Sequence, residues 1–180
     1  GRQGPMNVEQ TRGSNEPPLP VANQGRGGKY VTFFLGAEEY GLPILAVREI
    51  IGMVEITPIP QTPTFVRGVV NLRGNVIPII DLRRKFSMEC TEESRENCII
   101  VVRAHGADTG VVVDRMSEVS HVEGSEIQEP PPVGAEVNTD FILGIDKSGG
   151  KVRLLLDIER VISSQELLNL QGITAEVLNQ

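Results

Sequence analysis

The chain has 180 residues, is 39% hydrophobic but only 4% aromatic, has no Trp, and carries a net charge of −7. The charge argues against a nucleic-acid binder held by phosphate contacts, and no apolar run reaches the roughly 18 residues of a membrane span. Val, Ile and Leu must therefore fill the core, and β-branched residues favour strands.

Residues 1–28 are Gly, Pro, Asn and Gln with few large apolar side chains. Such a segment buries too little surface to offset chain entropy and is expected to be disordered. Its opening Gly-Arg-Gln-Gly-Pro, ahead of Met6, reads as an expression scar. With no signal peptide, a cytoplasmic location is expected. Strand signals begin at Lys29, where Val31, Phe33 and Leu35 alternate with Tyr30, Thr32 and Phe34. A turn at Ala37–Glu38 leads to a second strand, Leu42–Leu45 can make a helical turn, and Ala46–Ile56 reads as one long strand. Pro58, Pro60 and Pro63 mark a loop. Two strands flanking Gly74 then form a hairpin, and Pro78 places the second of them at an edge or at a bulge. A polar linker, 87–97, precedes a second set of short strands ending at Asp157. Within it, 129–140 reads as a second loop. Ser163 and Glu166 have capping-box spacing for a short last helix, with a tail to 180.

The chain contains an internal duplication. A shift of 69 residues places Gly41 on Gly110, Val47 on Met116, Glu49 on Glu118 and Ile50 on Val119. After the proline loop the shift becomes 76, and Phe65 falls on Phe141, Gly68 on Gly144, Gly74 on Gly150 and Asp81 on Asp157. The fold expected is all-β: two five-stranded barrels, one from 29–88 and one from 97–162, packed on each other and each marginal alone at this size. Val76/Val152, Pro78/Leu154, Ile80/Leu156 and Leu82/Ile158 are expected to form the core face of the last strand. Ile77, paired with Arg153, falls on the other face; it is either exposed apolar surface for a partner or covered by the other barrel.

No residues assemble a catalytic or metal site by spacing. Asp81 and Asp157 each close a strand before a helical turn, where capping explains a carboxylate. His105 and His121 have no neighbouring ligand at metal spacing. Cys98 opens an apolar run and is expected to be a buried thiol, Cys90 an exposed one. No cofactor is implied. Arg73 stands apart, because its counterpart is Gly149, and Asn71 likewise faces Lys147. Arg73 and Glu49 can pair across strands, either as a solvated surface pair or as the polar anchor of a protein-binding patch.

The segments LGAEEYGLPILAVREI, TPTFVRGVVNLRGNVIPIIDLRRKF and GVVVDRMSEV resemble the CheW family of bacterial chemotaxis coupling proteins, over about Tyr30 to Ile162. The resemblance implies two SH3-like barrels around a shared core and no catalysis. It implies coupling of the cytoplasmic tips of methyl-accepting chemotaxis receptors to the regulatory domain of the histidine kinase CheA, in membrane-associated arrays but without membrane insertion. A related chemosensory pathway, for surface motility or second-messenger control, is the alternative. By position, the coupling face would comprise Val47, Glu49, Ile50, Gly68, Asn71, Arg73, Met116 and Val119. Kinase contacts would lie at barrel ends, around Ile77, Gly110 and Val111.

Overall fold

The computed structural model describes residues 26–130 and 139–178. The expectation of disorder therefore lies outside the described residues for 1–25, as does most of the second loop, 131–138. It fails for the end of that stretch, because Gly28 already opens a strand and the Tyr30 hydroxyl donates to the carbonyl of Arg26.

In the first half, β1 (Gly28–Leu35) and β2 (Glu38–Pro43) form a hairpin, and a 3-10 turn over Ile44–Ala46 leads to β3 (Val47–Gly52). β4 (Val66–Leu72) and β5 (Asn75–Asp81) form a second hairpin, followed by the short helix α1 (Leu82–Lys85). The second half repeats this plan with β6 (Cys98–Ala104), β7 (Ala107–Val113) and β8 (Arg115–Val122). The two-residue β9 (Ile127–Gln128) precedes β10 (Ile142–Asp146), β11 (Arg153–Leu156) and α2 (Ile158–Val161). The helix α3 (Ser164–Leu178) ends the described chain and is longer than the sequence suggests.

Pairing overturns the assignment of one barrel to each half. One sheet runs β3-β6-β7-β5-β4 and the other β9-β10-β11-β2-β1-β8, so each half lends its first hairpin to the other half's sheet. The connections explain why. Only Ile44–Ala46 separates β2 from β3, and only Asp114 separates β7 from β8, so the chain passes directly from one sheet into the other. The two parallel joints are copies of each other: Gly41 lies opposite Leu155 and Gly110 opposite Ile79.

Between the sheets lies a shared core that includes Phe33, Leu35, Tyr40, Leu42, Ile80, Leu82, Ile100 and Leu156. Each sheet also curls around an interior of its own. Val70, Ile77, Ile79, Ile99, Val101 and Val112 fill the five-strand barrel, and Tyr30, Val122, Ile127 and Leu155 part of the six-strand barrel. β5 is thus buried on both faces, which a single core face does not describe. Ile80/Leu156 and Leu82/Ile158 join the shared core as expected, but Val152 is exposed, and Ile77 is only 5% exposed and Arg153 6%. Pro78 sits on a central strand. Its half of β5 pairs with β4 alone, since pairing with β7 begins at Ile79, so the missing N–H is tolerated.

Local signals behave as the sequence suggests. Asp81 accepts from the Arg84 N–H at 3.3 Å and Asp157 from the Glu159 N–H at 3.1 Å. The capping box at the start of α3 is complete, with Glu166 N–H to Ser163 Oγ at 3.1 Å and Ser163 N–H to Glu166 Oε1 at 3.0 Å. Leu167 and Leu170 of α3 enter the shared core.

The exchange of hairpins predicts that neither half folds alone. Fragments 26–95 and 96–178 should each give collapsed amide proton dispersion and no cooperative melt, and mixing them should restore both. A native-like spectrum from either fragment alone would contradict the pairing.

Candidate functional site

β3 and β8 occupy equivalent positions at one end of their respective sheets, and the candidate coupling residues lie largely along them. Val47 and Met116 are half-buried against the shared core. Ile50 and Val119, equivalent under the duplication, are 44% and 58% exposed. Glu49 and Glu118 are also equivalent, and each is tied to an arginine, but from different places.

On the five-strand barrel, Glu49 pairs with Arg73, which projects from the β4–β5 turn and is 68% exposed. β3 and β4 are the two ends of that sheet, so the pair spans the seam where the barrel closes. The expected ion pair is therefore present, and it is solvated, which limits its contribution to about 0–1 kcal/mol. Asn71 shapes the turn beneath it, its Oδ1 accepting from the Gly74 N–H at 2.8 Å. Gly68 answers a steric demand: its φ is +143°, and a Cβ there would lie 2.1 Å from the carbonyl oxygen of Thr57. That segment crosses β4 closely, with two Thr57–Val69 backbone hydrogen bonds of 2.9 Å.

On the six-strand barrel, Glu118 meets Arg153 from inside. Arg153 Nη2 donates to Glu118 Oε2 at 2.5 Å, and Nη1 donates to Ser120 Oγ at 3.1 Å and Asp146 Oδ2 at 3.4 Å. Glu39 Oε2 lies 3.1 Å from Nε, close enough for charge attraction but without hydrogen-bond geometry. Asp146, fully buried, also accepts from Ser148 N–H and Oγ at 3.0 and 2.7 Å. The duplication shows what changed. Val101, Ile51, Val70, Leu72 and Ile77 line the five-strand barrel, where the six-strand barrel has Thr32, Ser120, Asp146, Ser148 and Arg153. Five apolar positions in one copy are polar in the other. The signal of this network in the sequence lies in those paired substitutions, which single positions do not reveal.

The proposed kinase-contact residues are not surface. Val111 is fully buried in the shared core and Ile77 is inside the five-strand barrel. Gly110 is buried because Ile79 and Ile99 press on it: a Cβ would lie 2.6 Å from Ile79 Cδ1. The equivalence of Gly110 and Gly41 reflects that packing, not a shared docking role.

Elsewhere, Arg83 donates to both oxygens of Asp114 at 2.8 and 2.5 Å. Burial alone would raise the Asp114 carboxyl, but the Arg83 bond, the Gly36 N–H and the charges of Arg83 and Arg115 outweigh it and hold it below its ordinary value. Glu166 is lowered against its own burial by Lys85 and Ser163. Burial pushes the Cys98 thiol up, whereas Cys90 is exposed.

Two curled sheets around a shared core, with paired, partly apolar edge strands, define an adaptor that works through its surfaces. The chain belongs to the CheW-like family, whose domain model matches residues 29–166. The chemotaxis protein CheW of Klebsiella aerogenes is 37% identical over 147 residues, covering 82% of this chain and 89% of that protein. CheW of Treponema pallidum is 33% identical over 159 residues, covering 86% and 94%. The crystal structure of the scaffolding protein TtCheW from Thermoanaerobacter tengcongensis superposes with a TM-score of 0.73 at 36% identity, covering 78% of this chain and 95% of that one. The protein is a chemotaxis coupling adaptor.

Removing Arg153 leaves Asp146 and Glu39 buried without their counter-charge. Arg153→Met should therefore cost about 3–5 kcal/mol in urea unfolding. A loss below about 1 kcal/mol would mean that the network does not hold the barrel closed.

Proposed function

We propose that this protein joins the cytoplasmic tips of chemoreceptors to the regulatory domain of the histidine kinase CheA, and does so without catalysis. The receptor-facing surface comprises Val47, Glu49, Ile50 and Arg73 on one barrel and Met116 and Val119 on the other. Gly68 and Asn71 serve that surface by shaping the hairpin beneath Arg73. The location is cytoplasmic, at membrane-associated receptor arrays.

One observation carries this reading. Arg73 has a φ of +53°, in the left-handed region, and its counterpart Gly149 has a φ of +68°. The turn thus requires a residue that glycine supplies freely and arginine supplies at a cost of roughly 1–2 kcal/mol. A solvated ion pair worth about 0–1 kcal/mol does not offset that cost. The arginine side chain serves something outside the fold, and its partner Glu49 lies on the strand that presents the exposed Ile50. Arginine and exposed aliphatic groups together are the composition of a protein-binding anchor.

The duplicate supplies the test variant. Arg73→Gly should change stability by less than about 1 kcal/mol, because relief of the left-handed strain opposes the loss of the pair and the added chain entropy. The same variant should weaken calorimetric binding to a receptor-tip fragment by about tenfold or more, as loss of an anchor costing over 1 kcal/mol requires. Unchanged affinity would remove Arg73 from the docking face. Failure of the unmodified protein to bind either the receptor fragment or the kinase domain would reject the coupling role.

A further inference from the structure

We infer that the mouth of the five-strand barrel is a socket for one arginine side chain presented by a protein partner. The inference rests on the coupling reading, since Glu49 and Arg73 belong to its docking face. It goes further in naming the group that the face receives.

The mouth is a cavity of about 430 Å³ with Leu72, Ile77 and Val101 among its apolar lining and Glu49 and Asp108 among its acids. Arg48 and Arg73 also line it. The other barrel shows what such a space holds. There the guanidinium of Arg153, equivalent to Ile77, lies against Glu118 and Glu39, the equivalents of Glu49 and Asp108. The first barrel has Ile77 in place of that arginine and carboxylates at both equivalent positions. One consequence is visible: Asp108 Oδ1 is buried and accepts no hydrogen bond, its nearest cation being Arg103 Nη1 at 3.6 Å. Such an acceptor is costly to leave unsatisfied. Glu49 is held by the solvated Arg73, a pair that exchanges at little cost.

A planar guanidinium with an aliphatic stem fits this lining better than a compact, strongly hydrated ammonium. Its stem covers Ile77 and Val101, and its N–H groups reach Glu49 and Asp108. It takes the place of Arg73 on Glu49. Arg73 then joins Arg48, which makes no ion pair among the described residues, and both face carboxylates of the partner. The internal pair is exchanged for intermolecular pairs without burying unbalanced charge.

The test titrates N-acetyl-arginine-N-methylamide into the full chain and follows methyl resonances by NMR. The control probe is the citrulline analogue, which has the same shape and no charge. Saturable shifts should appear at Leu72, Ile77 and Val101 with the arginine probe and not with citrulline. The methyls of Leu155 and Val122 should stay still, because Arg153 already fills that barrel. Asp108→Asn should weaken the arginine probe about tenfold, and Glu49→Gln serves the same purpose if the first variant does not fold. Equal shifts with both probes, or no effect of either folded variant, would overturn the socket. Calorimetry with the receptor-tip fragment separates the two readings. If the unmodified chain binds and Asp108→Asn binds equally well, the socket fails and the coupling role stands. If the unmodified chain binds no partner while the probe still responds as expected, the coupling role fails and the socket stands.

Discussion

The guanidinium of Arg153 holds the six-strand barrel closed. It sits on β11, yet its partners come from β2, β8 and β10, so one side chain ties β8 at one end of the sheet order to strands on either side of β11 and joins both halves of the chain. Taking a charge out of water is expensive, and a buried ion pair is weak evidence for net stability. What this network contributes is dependence: with Asp146 fully buried and Glu39 nearly so, Arg153 cannot be removed without stranding both carboxylates. The five-strand barrel solves the same closure problem with Val70, Ile77 and Val101 inside and the Glu49–Arg73 pair outside. One copy closes with charge within, the other with oil within and charge at the seam.

The exchanged hairpins give this closure its reach. A unit of roughly 60 residues buries a small enough fraction of its surface to be only marginally stable, and neither half makes a complete sheet. Both halves meet in a common core that extends from Phe33 to Leu170. β3 and β8 are consequently fixed to one packed body, each anchored by an inward residue, Val47 or Met116, and each presenting an outward one, Ile50 or Val119. A docking face spread over two strands keeps a defined geometry only if the strands cannot move independently, and interiors packed to crystal-like density meet that condition.

Much of this was legible where the chemistry is local. Strand alternation at Val31–Leu35, the hairpin at Gly74, the caps at Asp81 and Asp157, and the Ser163–Glu166 box each depend on residues a few positions apart. The Glu49–Arg73 pair was legible too, because comparison with Gly149 freed Arg73 from any duty in the turn. The pairing of strands was not, since an apolar pattern states which residues are buried and not which sheet buries them. Two faces of β5 are buried by different cores, so Ile77 looked outward when only one core was assumed. Arg153 escaped for a related reason. Its partners are scattered over three strands, and a lone arginine opposite an isoleucine resembles a surface substitution until the other four polar replacements are seen with it.

Those replacements also bear on why the hairpins are exchanged at all. Because the halves are related, the β1–β2 hairpin has two homologous sheets to choose between: its own half's and the other's. The backbone geometry of the two choices is nearly the same, as the matching Gly41–Leu155 and Gly110–Ile79 joints show. The side chains are not. In the sheet of its own half, Glu39 would lie beside Ile77 and Val70, with no cation inside the barrel to meet it, and a buried carboxylate without a partner is strongly unfavourable. In the other sheet it meets Arg153. The second hairpin carries the shorter Asp108 at the same position, where it stays at the partly exposed mouth near Arg103, and Val101 in place of Thr32 joins the apolar interior. A single buried polar contact that fixes register or partner choice is the best-attested use of such groups. The Arg153–Glu39 contact has that form: it links the two halves and makes the exchanged pairing the one in which Glu39 faces a buried cation.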